Sequence, residues 1–189
     1  MYFHASQTPD IQYLEPRVSN HGIPLIYFSA KRENTLVYLS NAIEKCCRET
    51  GYIHHGKWTK WGSYGFTNEG ILRLQEYYPN ATVDTYQGVS GYIYSTTLAE
   101  DLEEHPDIPF VFVTKRRTKV EHVEYIPDAY DSIMESVEKG EMILQKYEDL
   151  PEASLRWIQN QIIKEYETAS EEYKHFLRIK FERPEFGLC

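Results

Sequence analysis

The chain has 189 residues, 41% of them hydrophobic, with 16 tyrosines and a formal charge of −9. That length and apolar content suit one globular domain, or a domain with a short extension, and exclude a disordered or low-complexity chain. The negative balance argues against the broad basic footprint that long nucleic acids require.

The opening MYFHASQTPD lacks the basic start and apolar run of a signal peptide, and no later stretch is long and apolar enough to cross a bilayer. Cys46, Cys47 and Cys189 form neither a disulfide framework nor a zinc spacing. A soluble, cytoplasmic protein with free thiols is expected.

Tyr2-Phe3-His4 reads as a first strand and 23–28 as a second, with Pro24 tolerable only near its start or on an edge. From Ser29, a residue type suited to a helix N-cap, Leu36, Leu39, Ile43 and Cys47 recur at helical spacing until Gly51, which predicts one helix. The stretch 52–64 carries His54, His55, Trp58 and Trp61, has no steady period and predicts a long loop, the kind of segment that borders sites. A short helix over 69–78, a strand over 89–95 and a central buried strand over 108–113 follow, with 120–126 as hairpin partner of the last. After Pro127 the spacing turns helical. From 151 to 181 it predicts one long or two consecutive amphipathic helices, with Thr168 and Glu171 marking a break. Strands first and helices last predict an α+β fold: a mixed, mainly antiparallel domain over 1–150 with a helical extension over 151–189 packed on it.

The run YFSAKRENTLVYL resembles a segment of the diphtheria-toxin-like group of poly- and mono-ADP-ribosyltransferases, in which a strand ending in Tyr-Phe-Ala leads a helix bearing a second tyrosine. Upstream, YFHAS resembles their strand ending in His-Gly-Ser or His-Gly-Thr, with Ala5 where that family has glycine. The likeness covers about the first quarter of the chain. It implies an ADP-ribosyltransferase fold and NAD as substrate. His4 would bond a ribose hydroxyl, Ser6 and Ser29 would help hold the nicotinamide end, and Tyr27 and Tyr38 would sandwich the ring. Stacking with polar groups at the edge is how an aromatic amide is best held. At 100° per residue Tyr38 lies off the stripe of Leu36, Leu39, Ile43 and Cys47, so it is not a core position of that expected helix.

The same resemblance implies a glutamate on a later strand that stabilises the positive charge developing as nicotinamide leaves. Glu121 and Glu124 both qualify, on opposite faces of an alternating strand, and the likeness of Glu124-Tyr125-Ile126 to the family's Glu-Tyr-Ile favours Glu124. Taken singly, His4 reads as a hydrogen-bonded core histidine, Tyr38 as a surface tyrosine and either glutamate as a solvated strand residue.

The other signals are weaker. His21, His54, His55, His105, His122 and His175 show no ligand spacing, so no metal is expected. Lys115-Arg116-Arg117 with Lys119 reads as a solvated hairpin, while Arg17 and Arg32, by position, suit the NAD pyrophosphate. Trp58 and Trp61 line a lid or pack in a core. Three functions are expected in turn: NAD-dependent transfer of ADP-ribose to a protein, nucleic-acid or small-molecule acceptor; NAD or nucleotide binding without turnover; or partner capture by the C-terminal helices.

Overall fold

A computed structural model describes residues 1–18, 22–182 and 186; His21 and Cys189 lie outside the described residues. In chain order the strands are β1 (Tyr2–Ser6), β2 (Tyr13–Leu14), β3 (Arg17–Val18), β4 (Pro24–Ser29), β5 (Tyr64–Phe66), β6 (Leu72–Gln75), β7 (Gly91–Thr96), β8 (Glu103–Glu104), β9 (Val111–Thr114), β10 (Thr118–Lys119), β11 (His122–Ile126) and β12 (Met142–Gln145). The helices are α1 (Ala42–Glu49), α2 (Ala81–Tyr86), α3 (Ala129–Glu138), α4 (Glu152–Thr168) and α5 (Glu171–Lys180), with 3-10 turns at Glu33–Tyr38 and Tyr147–Asp149. The architecture is α+β, with mainly antiparallel sheets and helices gathered toward the C-terminus.

The chain divides into two compact units: Met1–Leu39, Phe66–Leu72 and Tyr86–Ile143 form the first, and Ser40–Gly65, Arg73–Thr85 and Leu144–Cys189 the second. The expected boundary at residue 150 is therefore not where the contacts divide. The C-terminal helices share a core with two earlier segments because their apolar stripes alone cannot close one.

The first unit is built on a sheet of strand order β11-β7-β1-β4-β9-β8, with β3 beside β4. Alternation sets its two faces. On one, Ile26, Phe28 and Tyr94 are buried with Leu14 and flanked by Tyr2 and Phe112. On the other lie Ile93 and Gly91, against which Leu39 packs so closely that a Cβ at Gly91 would sit 2.6 Å from its Cδ2 and 3.1 Å from the Ser6 carbonyl oxygen. Glycine is required there by close approach.

The second unit's core joins Ile43, Cys46 and Cys47 of α1 to Ile158 and Ile162 of α4 and to Phe176 and Leu177 of α5. Trp58 and Trp61 pack against it, the Trp61 ring 5.1 Å from that of Phe176, so both tryptophans serve the core. A further sheet of three short strands has the order β12-β6-β5.

Several elements differ from expectation. The single helix after Ser29 is two pieces, a 3-10 turn and α1, because Asn41 turns extended (φ −127°) and donates its side-chain amide to the Thr59 carbonyl at 2.9 Å. Ser29 is no N-cap: it ends β4, and its hydroxyl accepts from the Lys31 amide at 3.0 Å. The helix expected over 69–78 is a turn and a strand. Gly70 has φ +74°, and Leu72 and Leu74 are buried while Arg73 and Gln75 are half-buried, a period of two where three or four was read. The segment 120–126 is not the hairpin partner of β9. After β9 the chain crosses to pair Thr118 with Leu14 of β2, and β11 then pairs with β7. The break between α4 and α5 falls where expected, with Ser170 in the N-cap position.

Candidate functional site

β1 joins the sheet unequally on its two sides. Five registered pairs, from Tyr2 opposite Thr96 to Ser6 opposite Tyr92, bind it to β7. On the other side one pair, Phe3 opposite Ser29, binds it to β4, while β4 makes four pairs with β9, from Ile26 opposite Thr114 to Ser29 opposite Val111. The sheet is thus two antiparallel blocks joined at a narrow seam, and a seam leaves backbone groups that a continuous ladder would consume.

His4 closes that seam. Its Nδ1 lies 2.8 Å from the Tyr27 carbonyl oxygen. A carbonyl only accepts, so Nδ1 carries the proton, which fixes the ring's tautomer and its plane across the gap. The ring meets Phe28 edge-on at 6.2 Å. Ser6, at the far end of β1, accepts from the Thr8 amide at 3.1 Å and shapes the turn that leaves the strand. Tyr27 is half-buried with its ring 6.1 Å from His105, and Ser29 is buried at the seam's single pair. Tyr38 ends the 3-10 turn and is 42% exposed, beside Tyr86, whose buried hydroxyl donates to the Val37 carbonyl at 3.2 Å.

The two glutamates separate by partner. Glu121 accepts from both the amide and the hydroxyl of Thr97, the hydroxyl at 2.8 Å, and the Thr97 amide holds its carboxyl below the usual carboxylate range. Its Oε2 serves a turn. Glu124 is instead gripped by Arg32 through a two-pronged pair, Nε to Oε2 at 2.8 Å and Nη2 to Oε1 at 2.5 Å. The hydrogen bond to Glu124 raises the Arg32 pKa against the opposing effect of burial. Arg32 is itself anchored, its carbonyl accepting from the Thr35 amide at 3.0 Å and hydroxyl at 2.6 Å. Arg17 lies on the exposed strand β3, opposite Leu25.

Register decides which of these side chains share a face. Glu124 stands opposite Ile93, and Ile93 opposite Ala5, so all three form one row. By alternation Phe3, Ser29 and Tyr27 lie on that same face. His4 and Ser6 project to the other, in the rows of Tyr94 and Tyr92. The structure thus brings Tyr27, Ser29, Arg32 and Glu124 to one face of the seam, with His4 reaching across the seam from the opposite one.

One residue of this region escaped the sequence. Asn34, in the 3-10 turn two residues past Arg32, is 1% exposed, and neither its amide nitrogen nor its oxygen has a hydrogen-bond partner among the described residues. Buried polar atoms almost always find one. A lone asparagine in an apparently helical run carries no signal of this.

The remaining candidates are structural. Arg116 pairs with Asp101 at 2.9 Å, and Arg117 with Glu15 at 2.6 Å, so the two arginines of the basic segment are neutralised. His175 bonds Thr50 at 2.8 Å and stacks on Tyr52, while His54 lies 3.9 Å from Glu172. Among the described residues no group of three or more His, Cys, Asp or Glu is placed to hold a metal ion, and no helix is long and apolar enough to cross a membrane. No protein-family model, curated protein or solved structure matches the chain.

Proposed function

We propose that the first unit binds NAD at the seam between β1 and β4 and transfers its ADP-ribosyl group to an acceptor, a protein, nucleic acid or small molecule, with release of nicotinamide. The observation that carries this reading is the one-pair junction at Phe3 and Ser29, bridged by His4 and bordered by the Arg32–Glu124 pair. Tyr27 and Tyr38 supply the rings between which nicotinamide stacks, and the Ser6 and Ser29 hydroxyls supply polar edges. As the bond from nicotinamide to ribose breaks, positive charge develops on the sugar, and the Glu124 carboxylate stabilises it. Glu124 must first leave Arg32, whose fork is then available to the pyrophosphate in a geometry that matches it. The face that Glu124 shares with Tyr27 and Ser29 supports it over Glu121.

A second reading, NAD or nucleotide binding without turnover, is favoured by one observation: alternation projects His4 from the face opposite Glu124. Partner capture by the C-terminal helices has less support, since Ile158, Ile162, Phe176 and Leu177 are committed to a core. Calorimetry with NAD combined with an assay for released nicotinamide separates the readings. Transfer requires both binding and release, with release lost and binding kept in Glu124→Gln. Binding without release leaves the second reading, and no binding refutes both.

A further inference from the structure

We propose that the second unit carries a nucleoside monophosphate site, in which Arg73 and the start of α4 take the phosphate and Trp157 takes the base. A groove of about 430 Å³ is lined by Arg73, Gln75, Gln145, Ser154 and Trp157. That volume falls within the few hundred to about 1,000 Å³ of small-ligand sites.

Arg73 is the first observation. The Nε of its half-buried side chain is shielded from solvent without a hydrogen-bond partner, and among the described residues it has no ion pair. Of the described arginines without an ion pair, Arg17 lies on an exposed strand and Arg178 bonds the Tyr166 hydroxyl, whereas Arg73 has a shielded nitrogen with no partner. It cannot shed its charge, so burial leaves it a standing demand for an anion.

The second is the start of α4. Pro151 occupies the N-cap position with no side-chain cap, and the amides of Ser154 and Leu155 both return to the Pro151 carbonyl, at 2.8 and 3.1 Å. By helix geometry the amides of Glu152 and Ala153 have no carbonyl within the helix, at its positive end. The nearby Glu152 carboxylate is paired with Arg156 on the same helix.

The third is Trp157, 50% exposed, with its ring set edge-on at 6.0 Å to Tyr77. A half-exposed indole lining the same groove as an unpaired cation offers a stacking surface for a base. The carboxamides of Gln75 and Gln145 each present a donor and an acceptor for a base edge. The net charge of −9 disfavours a polynucleotide, so the occupant is a single nucleotide. The assignment is independent of the seam.

Titration of the full chain with AMP, inorganic phosphate and adenosine, read by calorimetry, tests it. AMP is expected to bind tighter than either fragment. Arg73→Gln should weaken AMP by about tenfold or more, the loss expected for a charge-assisted hydrogen bond. Ala153→Glu should do the same while keeping the fold, because a carboxylate suits a helix's first turn but repels phosphate there. Trp157→Ala should remove the advantage of AMP over phosphate. The assignment is overturned if AMP does not bind or binds no tighter than phosphate or adenosine. It is equally overturned if Ala153→Glu and Trp157→Ala, with unchanged circular dichroism, leave AMP affinity as it was.

Discussion

Replacing Asn34 with leucine turns an unpaired buried amide into a measurable quantity. The side chain is 1% exposed and both its polar atoms lack partners among the described residues. Desolvating a polar group without a hydrogen bond costs about 1–3 kcal/mol, and leucine, with the same branched outline and a larger volume, removes that cost while burying more apolar surface. Asn34→Leu is therefore expected to stabilise the first unit by about 1–3 kcal/mol. Urea unfolding followed by far-ultraviolet circular dichroism reads the change, with tryptophan fluorescence as the probe of the second unit, where Trp58, Trp61 and Trp157 all lie. Asn34→Asp should act oppositely, losing several kcal/mol by burying an unpaired charge. A loss of stability in Asn34→Leu that the smaller Asn34→Val does not share would be overpacking, whereas a loss in both would refute the reasoning, since it would mean that the amide is paired in solution. The same variant bears on function: if NAD affinity falls while stability rises, the unsatisfied amide is kept for a ligand.

The Arg32–Glu124 pair, with side chains 35% and 48% exposed, should show a coupling of only about 0.5–1 kcal/mol in a double-mutant cycle, and a value above about 2 would mean that it is a structural clamp. Gly91→Ala should cost about 1–3 kcal/mol by overpacking against Leu39 and the Ser6 carbonyl, measured by urea unfolding; a neutral result would mean that β7 shifts freely. Burial raises the pKa of Tyr78, Tyr86 and Tyr173 above the unfolded value of about 10, so the native state keeps those protons longer. Stability is then intact below pH 10 and falls as pH rises beyond it, with these three ionising only on unfolding in a spectrophotometric titration. Burial likewise pushes the Cys46 thiol up to about 11, so alkylation at pH 8 with peptide mapping should leave Cys46 and Cys47 unmodified until denaturant is added.

The sequence was most legible where one periodicity ran without interruption. β4, β7 and the pair α4 and α5 lie close to their expected positions because short runs of aromatic and branched residues, or apolar residues recurring by threes and fours, extend over enough chain to mark them. The failures share a cause. The helical stripe through Leu36, Leu39, Ile43 and Cys47 is real, and all four side chains are buried, yet they belong to two pieces in two units. Periodicity reports burial but not what a residue is buried against. The segment 69–78 departs from the expected helix because Gly70 and Asn80, both at positive φ, bound a strand too short to impose its own period. Partner choice in the sheet was hidden as well: Thr118 pairing with Leu14 across the chain decides that β11 joins β7, and no local pattern encodes it.

The seam shows what this means for the candidate site. His4, Tyr27, Ser29 and Tyr38 stood out by residue type and order, but their arrangement depends on how many pairs join β1 to β4, which only the folded sheet determines. With a full ladder, alternation alone would separate His4 and Ser6 from Glu124, and a ligand would contact one set or the other. With a single pair at Phe3 and Ser29, the imidazole of His4 instead reaches the Tyr27 carbonyl of the neighbouring strand. Whether the two faces act on one ligand therefore turns on the seam. A substitution that adds a competing cross-strand contact there, Ala5→Val, which stands across the seam from Tyr27, should lower NAD affinity. Unchanged affinity in a folded Ala5→Val protein would mean that NAD, if bound, is held on one face only.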